Sequence, residues 1–365
     1  MATVTSLVDR DARPADWAGL DSWWATLAQP HRLTSQSDGA RVVERDRVGN
    51  WWSEVDSWWQ SSARYSGPTA DTSWSQVFPE EQSPDPWADL DDWWELYAQT
   101  GTDAAVRLAA VLARSNTVWS ASNAPFDTDP LATDVSDGAT PRGPYHPSNE
   151  VAWSRWLAQL LRPAGALIAT LFDIPVEGPP DEVIREARLS NPGGRPRRAD
   201  LLICYGDRGI SIEVKLDDEN YGKTAETAAL VEHHYDDREW THVLLLPERK
   251  RNRLDAIVSP GVEQTPDGQL RIPWTDPGPV EVRYWRDITT ALRTLLRAGE
   301  IVDDHWAANA YLFCAVAEQQ LLNFVSHPDA KRFASPANVV EALRPHQLTD
   351  TIDRQLTYLQ QQNTR

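Results

Sequence analysis

Positive charge is what this chain has least of. Thirty-five lysines and arginines stand against 54 aspartates and glutamates, a net charge of −19. Lysine is nearly missing: there are four, and arginine supplies the other 31 cations. This balance excludes a protein that coats nucleic acid by general attraction, so any phosphate contact has to be local or shared with a partner that grips the substrate. Cysteine is equally scarce. The two present, Cys204 and Cys314, form no disulfide framework and fall in expected interior elements. Neither cysteine nor histidine clusters as a zinc site requires. No secretory leader pattern and no clear membrane span stands out, so the expectation is a cytoplasmic protein with no membrane partner.

What is present concentrates in one stretch. Leu201 to Tyr205 reads as a strand, Gly206-Asp207-Arg208-Gly209 as a turn, and Ile210 to Leu216 as a second strand. Ile210, Ile212, Val214 and Leu216 alternate with Ser211, Glu213 and Lys215, so Glu213 and Lys215 share a face. A turn centred on Asp207 and Arg208 sets Asp200 opposite Lys215 and diagonal to Glu213, with Leu201 and Ile203 joining the apolar face. Two carboxylates on neighbouring strands are hard oxygen ligands suited to Mg²⁺ or Mn²⁺, and the Val214 carbonyl can add another oxygen. A metal there neutralises charge on a phosphodiester and acidifies a bound water. Lys215 then orients that water or stabilises the developing charge. A solvated structural hairpin is the bland alternative.

Arg198-Ala-Asp200 followed by Glu213-Val-Lys215 resembles the core motif of the PD-(D/E)xK, restriction-endonuclease-like nuclease superfamily. Ala199 stands where the motif's proline usually precedes the aspartate. The resemblance spans about Pro147 to Gly299. It implies an α/β fold with a mixed central sheet flanked by helices, and metal-dependent hydrolysis of nucleic-acid phosphodiesters, with DNA favoured over RNA and an endonuclease favoured. Asp200, Glu213 and the Val214 carbonyl would then be metal ligands, Lys215 catalytic, and Glu150 an auxiliary ligand. Prokaryotic defence against foreign DNA is a compatible setting.

The flanking segments suit that layout. Ser148 or Asn149 caps a helix whose stripe is Val151, Trp153, Trp156, Leu157, Leu160 and Leu161. Glu150 lies in its first turn, where it reaches the metal site or simply faces the helix dipole. Val183 to Leu189 is a first strand, Thr241 to Pro247 a buried central strand, and Val280 to Tyr284 another strand leading into a helix through Leu296. Arg195, Arg197 and Arg198 form a basic run before Asp200, facing phosphates or forming a salt-bridged rim. Asp217-Asp-Glu219 follows Lys215 as an acidic loop. Gly222-Lys223-Thr224 lacks the upstream glycines of a nucleotide-binding loop. Lys223 is a candidate phosphate contact, as is His234 at the end of a helix expected over 224–235.

The N-terminal third is of another kind. Trp17, Trp52 and Trp87 open three copies of a Trp-x-x-hydrophobic-Asp-x-Trp-Trp motif, 35 residues apart. The four apolar positions fall within about 120° of a helix surface. Each copy is therefore expected to be a short helix with a tryptophan-rich face that stacks, docks or binds a partner. Trp23, Trp24, Trp58, Trp59, Trp93 and Trp94 are the candidate docking residues. Base stacking suits tryptophan, but residues 1–145 hold 22 acidic and 10 basic side chains, the wrong sign for a phosphate funnel.

A further helix is expected over Ala104 to Val118, then a linker or long surface loop from Ser120 to His146. His305 to Val325 is apolar on most sides, suiting a core or an oligomer interface. Ser335-Pro336 opens another helix, and Thr349 or Asp350 caps a last one. The expected organisation is a tryptophan-repeat module with its linker (1–145), the nuclease domain (146–299), and a helical accessory domain (300–365). Protein partnering or self-association is expected through the repeats or the C-terminal helices. The rival reading is a non-enzymatic scaffold that uses a nuclease-like fold, with binding to DNA without turnover as a third.

Overall fold

A seven-stranded mixed sheet, in the order β1-β2-β3-β4-β7-β6-β5, carries the architecture. The computed structural model describes residues 86–135, 147, 149–175, 178–191, 194–266, 268–336, 338 and 345–364. The strands are β1 (Glu182–Leu189), β2 (Arg197–Tyr205), β3 (Arg208–Val214), β4 (Glu239–Leu246), β5 (Glu263–Gln264), β6 (Leu270–Ile272) and β7 (Val280–Tyr284). β1 pairs with β2 and β2 with β3 antiparallel, β3 with β4 and β4 with β7 are parallel, and β6 and β5 close the far edge antiparallel. The helices are α1 (Pro86–Ser120), α2 (Glu150–Leu161), α3 (Gly165–Phe172), α4 (Gly222–His234), α5 (Arg251–Ile257), α6 (Trp285–Ala298), α7 (Asp304–Gln320), α8 (His327–Phe333) and α9 (Pro345–Thr364).

The strands form where the sequence has residues to bury on both sides. Val243 to Leu246 is a continuous buried run, as expected of a central parallel strand covered on two faces. Leu201, Ile203, Ile210, Ile212, Val214, Val243 and Leu245 join the helical layer of α2, α3, α6 and α7 in one core cluster. On the opposite face, Leu202, Ala187 and Leu189 pack against Val231 of α4. The face bearing Ser211, Glu213 and Lys215 is therefore buried too.

The hairpin register differs from the expected one by two residues. Tyr205 pairs with Arg208 and Leu201 with Ile212, so the turn is only Gly206-Asp207. Gly206 adopts a φ of +48°, open to glycine at little cost, and this lets the strands reverse over two residues. Asp200 is thereby aligned with Glu213 rather than Lys215. A two-residue shift preserves the faces, so the expected inside and outside remain.

Aromatic packing fixes α2. Trp153 stacks on Trp156 with ring centroids 5.8 Å apart, and both meet the Phe313 ring edge-on. Trp285 of α6 lies 5.5 Å from Trp153, and the Trp306 indole donates to the Leu160 carbonyl at 2.9 Å. Asn149 caps the helix by accepting from the Ala152 amide. α6 begins with the Tyr284 amide donating to Asp287 and ends at Gly299, whose φ of +74° terminates the helix while the Glu300 amide returns to the Leu295 carbonyl.

A second fixture lies between the helices. Arg293 of α6 is fully buried and makes two hydrogen bonds to Asp129 and two to Glu318 of α7, all 2.6–2.8 Å. Ser115 of α1 also donates to Asp129, and Tyr358 of α9 donates to Glu318 at 2.8 Å. Residues 121–135, expected as linker, are thus anchored through Asp129 and the 3₁₀ turn Pro130–Ala132. Residues 87–365 form one compact unit.

α1 runs through both the third tryptophan motif and the helix expected at 104–118. Trp93 and Trp94 lie on its backbone, with their side chains outside the described part. Trp23, Trp24, Trp58 and Trp59 lie outside the described residues altogether, as does most of the helix expected from Ser335-Pro336. α9 starts at Pro345, so Thr349 and Asp350 sit inside it rather than capping it. Among the described residues, no helix is long and apolar enough to cross a membrane. Cys204 and Cys314 are free and buried.

Candidate active site

The site forms at the end of β3, where β2 no longer pairs with it. Beyond Ile212 the amides on that side need other acceptors. Asp200 Oδ2 accepts from the Val214 amide at 2.9 Å, and Glu150 Oε1 from the Leu216 amide at 2.6 Å. Glu150 comes from the first turn of α2, so the aromatic packing beneath that helix sets its reach. On the other edge, the Lys215 amide continues the ladder by donating to the Leu245 carbonyl. Because the N–H and C=O of one strand residue point the same way, the Val214 carbonyl lies on the edge served by Asp200 and Glu150.

Lys215 Nζ lies 2.8 Å from Glu213 Oε1 and 3.8 Å from Asp218 Oδ2. Glu213 Oε2 is buried and has no hydrogen-bond partner. Burial, helped by the Asp200 charge and opposed by Lys215, pushes the Glu213 carboxyl up to about 7. Asp200 is raised for the same first reason, with the Val214 amide and Lys215 opposing and Glu150 adding to the shift. For Lys215, burial lowers the value, but Glu213, Asp200 and Glu150 outweigh it and hold the ammonium above its ordinary range. Burial is the first cause in all three, and the Asp200, Glu213 and Lys215 charges act on one another within it.

Among the described residues, no group of three or more His, Cys, Asp or Glu side chains is gathered closely enough to hold a metal ion. Asp200 and Glu150 are turned to backbone amides, and Glu213 to Lys215. The donors are adjacent but engaged with the fold.

The outlying candidates have definite places. Arg197 pairs with Glu226 of α4 and Arg198 with Glu186 of β1 at 3.2 Å, a salt-bridged rim, while Arg195 is exposed. Lys223 Nζ lies 3.9 Å from Asp218 Oδ2 and is half-exposed. His234 has both ring nitrogens occupied: Nδ1 donates to the Leu230 carbonyl and Nε2 accepts from the Ser190 amide. It fastens α4 to the end of β1, and phosphate contact does not fit those bonds.

Sequence reasoning missed Lys250 and the part played by Asp218. Lys250, just before α5, is buried and donates to the Asp218 carbonyl at 3.1 Å. Arg249 beside it bonds Asp217 Oδ1 at 2.6 Å and the Leu216 carbonyl at 3.3 Å. The scarcity of lysine was the available signal: three of the chain's four lie between 215 and 250, and all three meet one loop. Comparison with protein-family models, curated proteins and solved structures finds no match.

Proposed function

We propose that this protein is a metal-dependent nuclease of the PD-(D/E)xK type that hydrolyses phosphodiester bonds, with DNA as the favoured substrate and internal cleavage the favoured mode. The observation that carries the reading is the meeting of Asp200, Glu213 and Lys215 at the free end of β3. It is supported by the element order around them: α2, the antiparallel β1 to β3, α4, and then β4 parallel to β3. The donors are carboxylate and carbonyl oxygens, the kind a divalent cation takes, though not gathered around one point as they stand. The buried Glu213 Oε2 lacks a partner. Asp200, Glu213 and the Val214 carbonyl would hold the ion, with Glu150 auxiliary. When bound, Mg²⁺ or Mn²⁺ supplies charge to the phosphodiester and acidifies water.

The chain's own residues do the rest. Glu213 holds the Lys215 ammonium, which orients the attacking water and stabilises charge on the phosphate as it develops. Burial of Glu213 and Lys215 lets their charges act with less screening than at the surface. For the carboxylates to converge, Asp200 and Glu150 must release the Val214 and Leu216 amides.

The test is cleavage of DNA and RNA by the purified chain with Mg²⁺ or Mn²⁺. Lys215→Ala is expected to abolish it while circular dichroism still shows the folded chain at the assay temperature, with a lowered melting temperature because Glu213 loses its buried partner. Inactivity on every substrate, together with no Mn²⁺ binding by titration calorimetry, would sink the reading. One observation favours a second reading, a non-catalytic scaffold: each candidate carboxylate already has a partner in the fold. That reading expects partner binding that survives Lys215→Ala and fails when Trp23, Trp58 and Trp93 are replaced.

A further inference from the structure

The loop after Lys215 brings cations together in a way the catalytic reading does not use. One oxygen of Asp218 lies 3.8 Å from Lys215 Nζ and 3.9 Å from Lys223 Nζ. Both separations are ion pairs without a hydrogen bond. The carboxylate's other oxygen, Oδ1, accepts from the Asn220 amide at 3.0 Å. Lys250 grips the Asp218 carbonyl, and Arg249 grips Leu216 and Asp217, so the loop backbone is fixed from below. The Asp218 side chain can therefore leave the two lysines by giving up that one amide bond, without moving the loop. The side chains of Asp218 and Lys223 are 40% and 45% exposed and that of Lys215 only 9%, so a ligand meets Lys223 first and reaches Lys215 as Asp218 withdraws. An open cleft of about 590 Å³ begins at Asp218 and passes Asn220 and Tyr221 to Trp274, leaving room for chain on that side of a bound phosphate.

We propose that Lys215 and Lys223 form a second phosphate-binding position, for a nucleic-acid backbone phosphate adjoining the attacked one, and that Asp218 occupies it as an internal competitor. This rests on the nuclease reading. The exposed Lys223 pair contributes about 1 kcal/mol or less, so what an incoming phosphate displaces is chiefly the Lys215 pair and the single Asn220 amide bond. The competitor also suits an acidic protein: substrate that makes both lysine contacts exchanges for Asp218, and weaker polyanions do not.

The experiment measures binding of a fluorescein-labelled DNA duplex to the full chain in EDTA, by anisotropy, across a range of salt. Asp218→Asn is expected to tighten binding about 3- to 10-fold at low salt and to steepen the log Kd against log salt slope by about 1. Lys223→Gln should weaken binding and reduce the slope by a similar amount. Adding Asp218→Asn to Lys223→Gln should restore little. Asp217→Asn removes the same charge from the Arg249 pair and should change Kd less than about 2-fold. Equal gains from Asp217→Asn and Asp218→Asn, or a gain that survives Lys223→Gln, would overturn the proposal while cleavage and its loss in Lys215→Ala leave the nuclease reading intact. Absence of DNA binding in every variant would overturn both.

Discussion

Replacing Glu213 by glutamine should change how stability depends on pH. In the folded protein this carboxyl is raised from 4.5 to about 7, first by burial and then by Asp200. A shift of about 2.5 units, at 1.36 kcal/mol each, corresponds to ~3 kcal/mol. The sign follows from proton uptake. Between pH 4.5 and 7 the folded state holds the proton and the unfolded chain does not, so this group's stabilising contribution is full below about pH 4.5 and is lost as pH rises through 7. Glutamine keeps the shape and removes the titration. His242, whose value is lowered by burial, acts in the opposite sense in the same window, but it is common to both proteins. The difference between wild type and variant therefore isolates Glu213, whose charged neighbours are Asp200, Lys215 and Glu150. Urea denaturation in EDTA at pH 5, 6, 7 and 8 measures it. The variant should gain on wild type as pH rises, by up to ~3 kcal/mol less whatever the Lys215 ion pair contributes. Parallel stability curves across that range would refute the argument, because Glu213 would then be ionised throughout.

The same carboxyl sets two further expectations, and the buried arginine a third. Mn²⁺ affinity, followed by electron paramagnetic resonance, should rise about tenfold per pH unit up to about pH 7 and level above it, because the ligand must lose its proton. In Glu213→Gln that rise should flatten. Arg293→Ala, which leaves Asp129 and Glu318 buried without their cation, should cost about 3–5 kcal/mol in urea denaturation. Arg293→Met combined with Asp129→Asn and Glu318→Gln should recover most of that loss, since no ionised group then stays buried.

Much of the site was legible because its signals are local. Alternation between Ile210 and Leu216 placed Glu213 and Lys215 on one face, and the Glu150 helix could be read from its cap and its tryptophan stripe. The register was misread because turn length depends on the backbone that Gly206 adopts, and the letters Gly-Asp-Arg-Gly are compatible with more than one reversal. α3, eight residues after Pro163, and the two- and three-residue strands β5 and β6 are too short to show periodicity. The contacts of Arg293 with Asp129 and Glu318 span 164 and 25 residues, and nothing near any one of them announces the others. The bond that occupies His234, a candidate phosphate contact, escaped for the same reason: it comes from the Ser190 amide, 44 residues earlier.

Synthesis gives that buried arginine a timing. Arg293 emerges before Glu318, and Tyr358 follows 65 residues after it, a delay of roughly 3–13 s at ordinary elongation rates. Until those residues arrive, α6 carries a guanidinium with only Asp129 to meet it. The aromatic partners of α2 end at Phe313, so the helix that presents Glu150 is fully braced only once α7 has been made. A growing chain would carry its β3 carboxylates on the ribosome, amid RNA, with the site still unassembled.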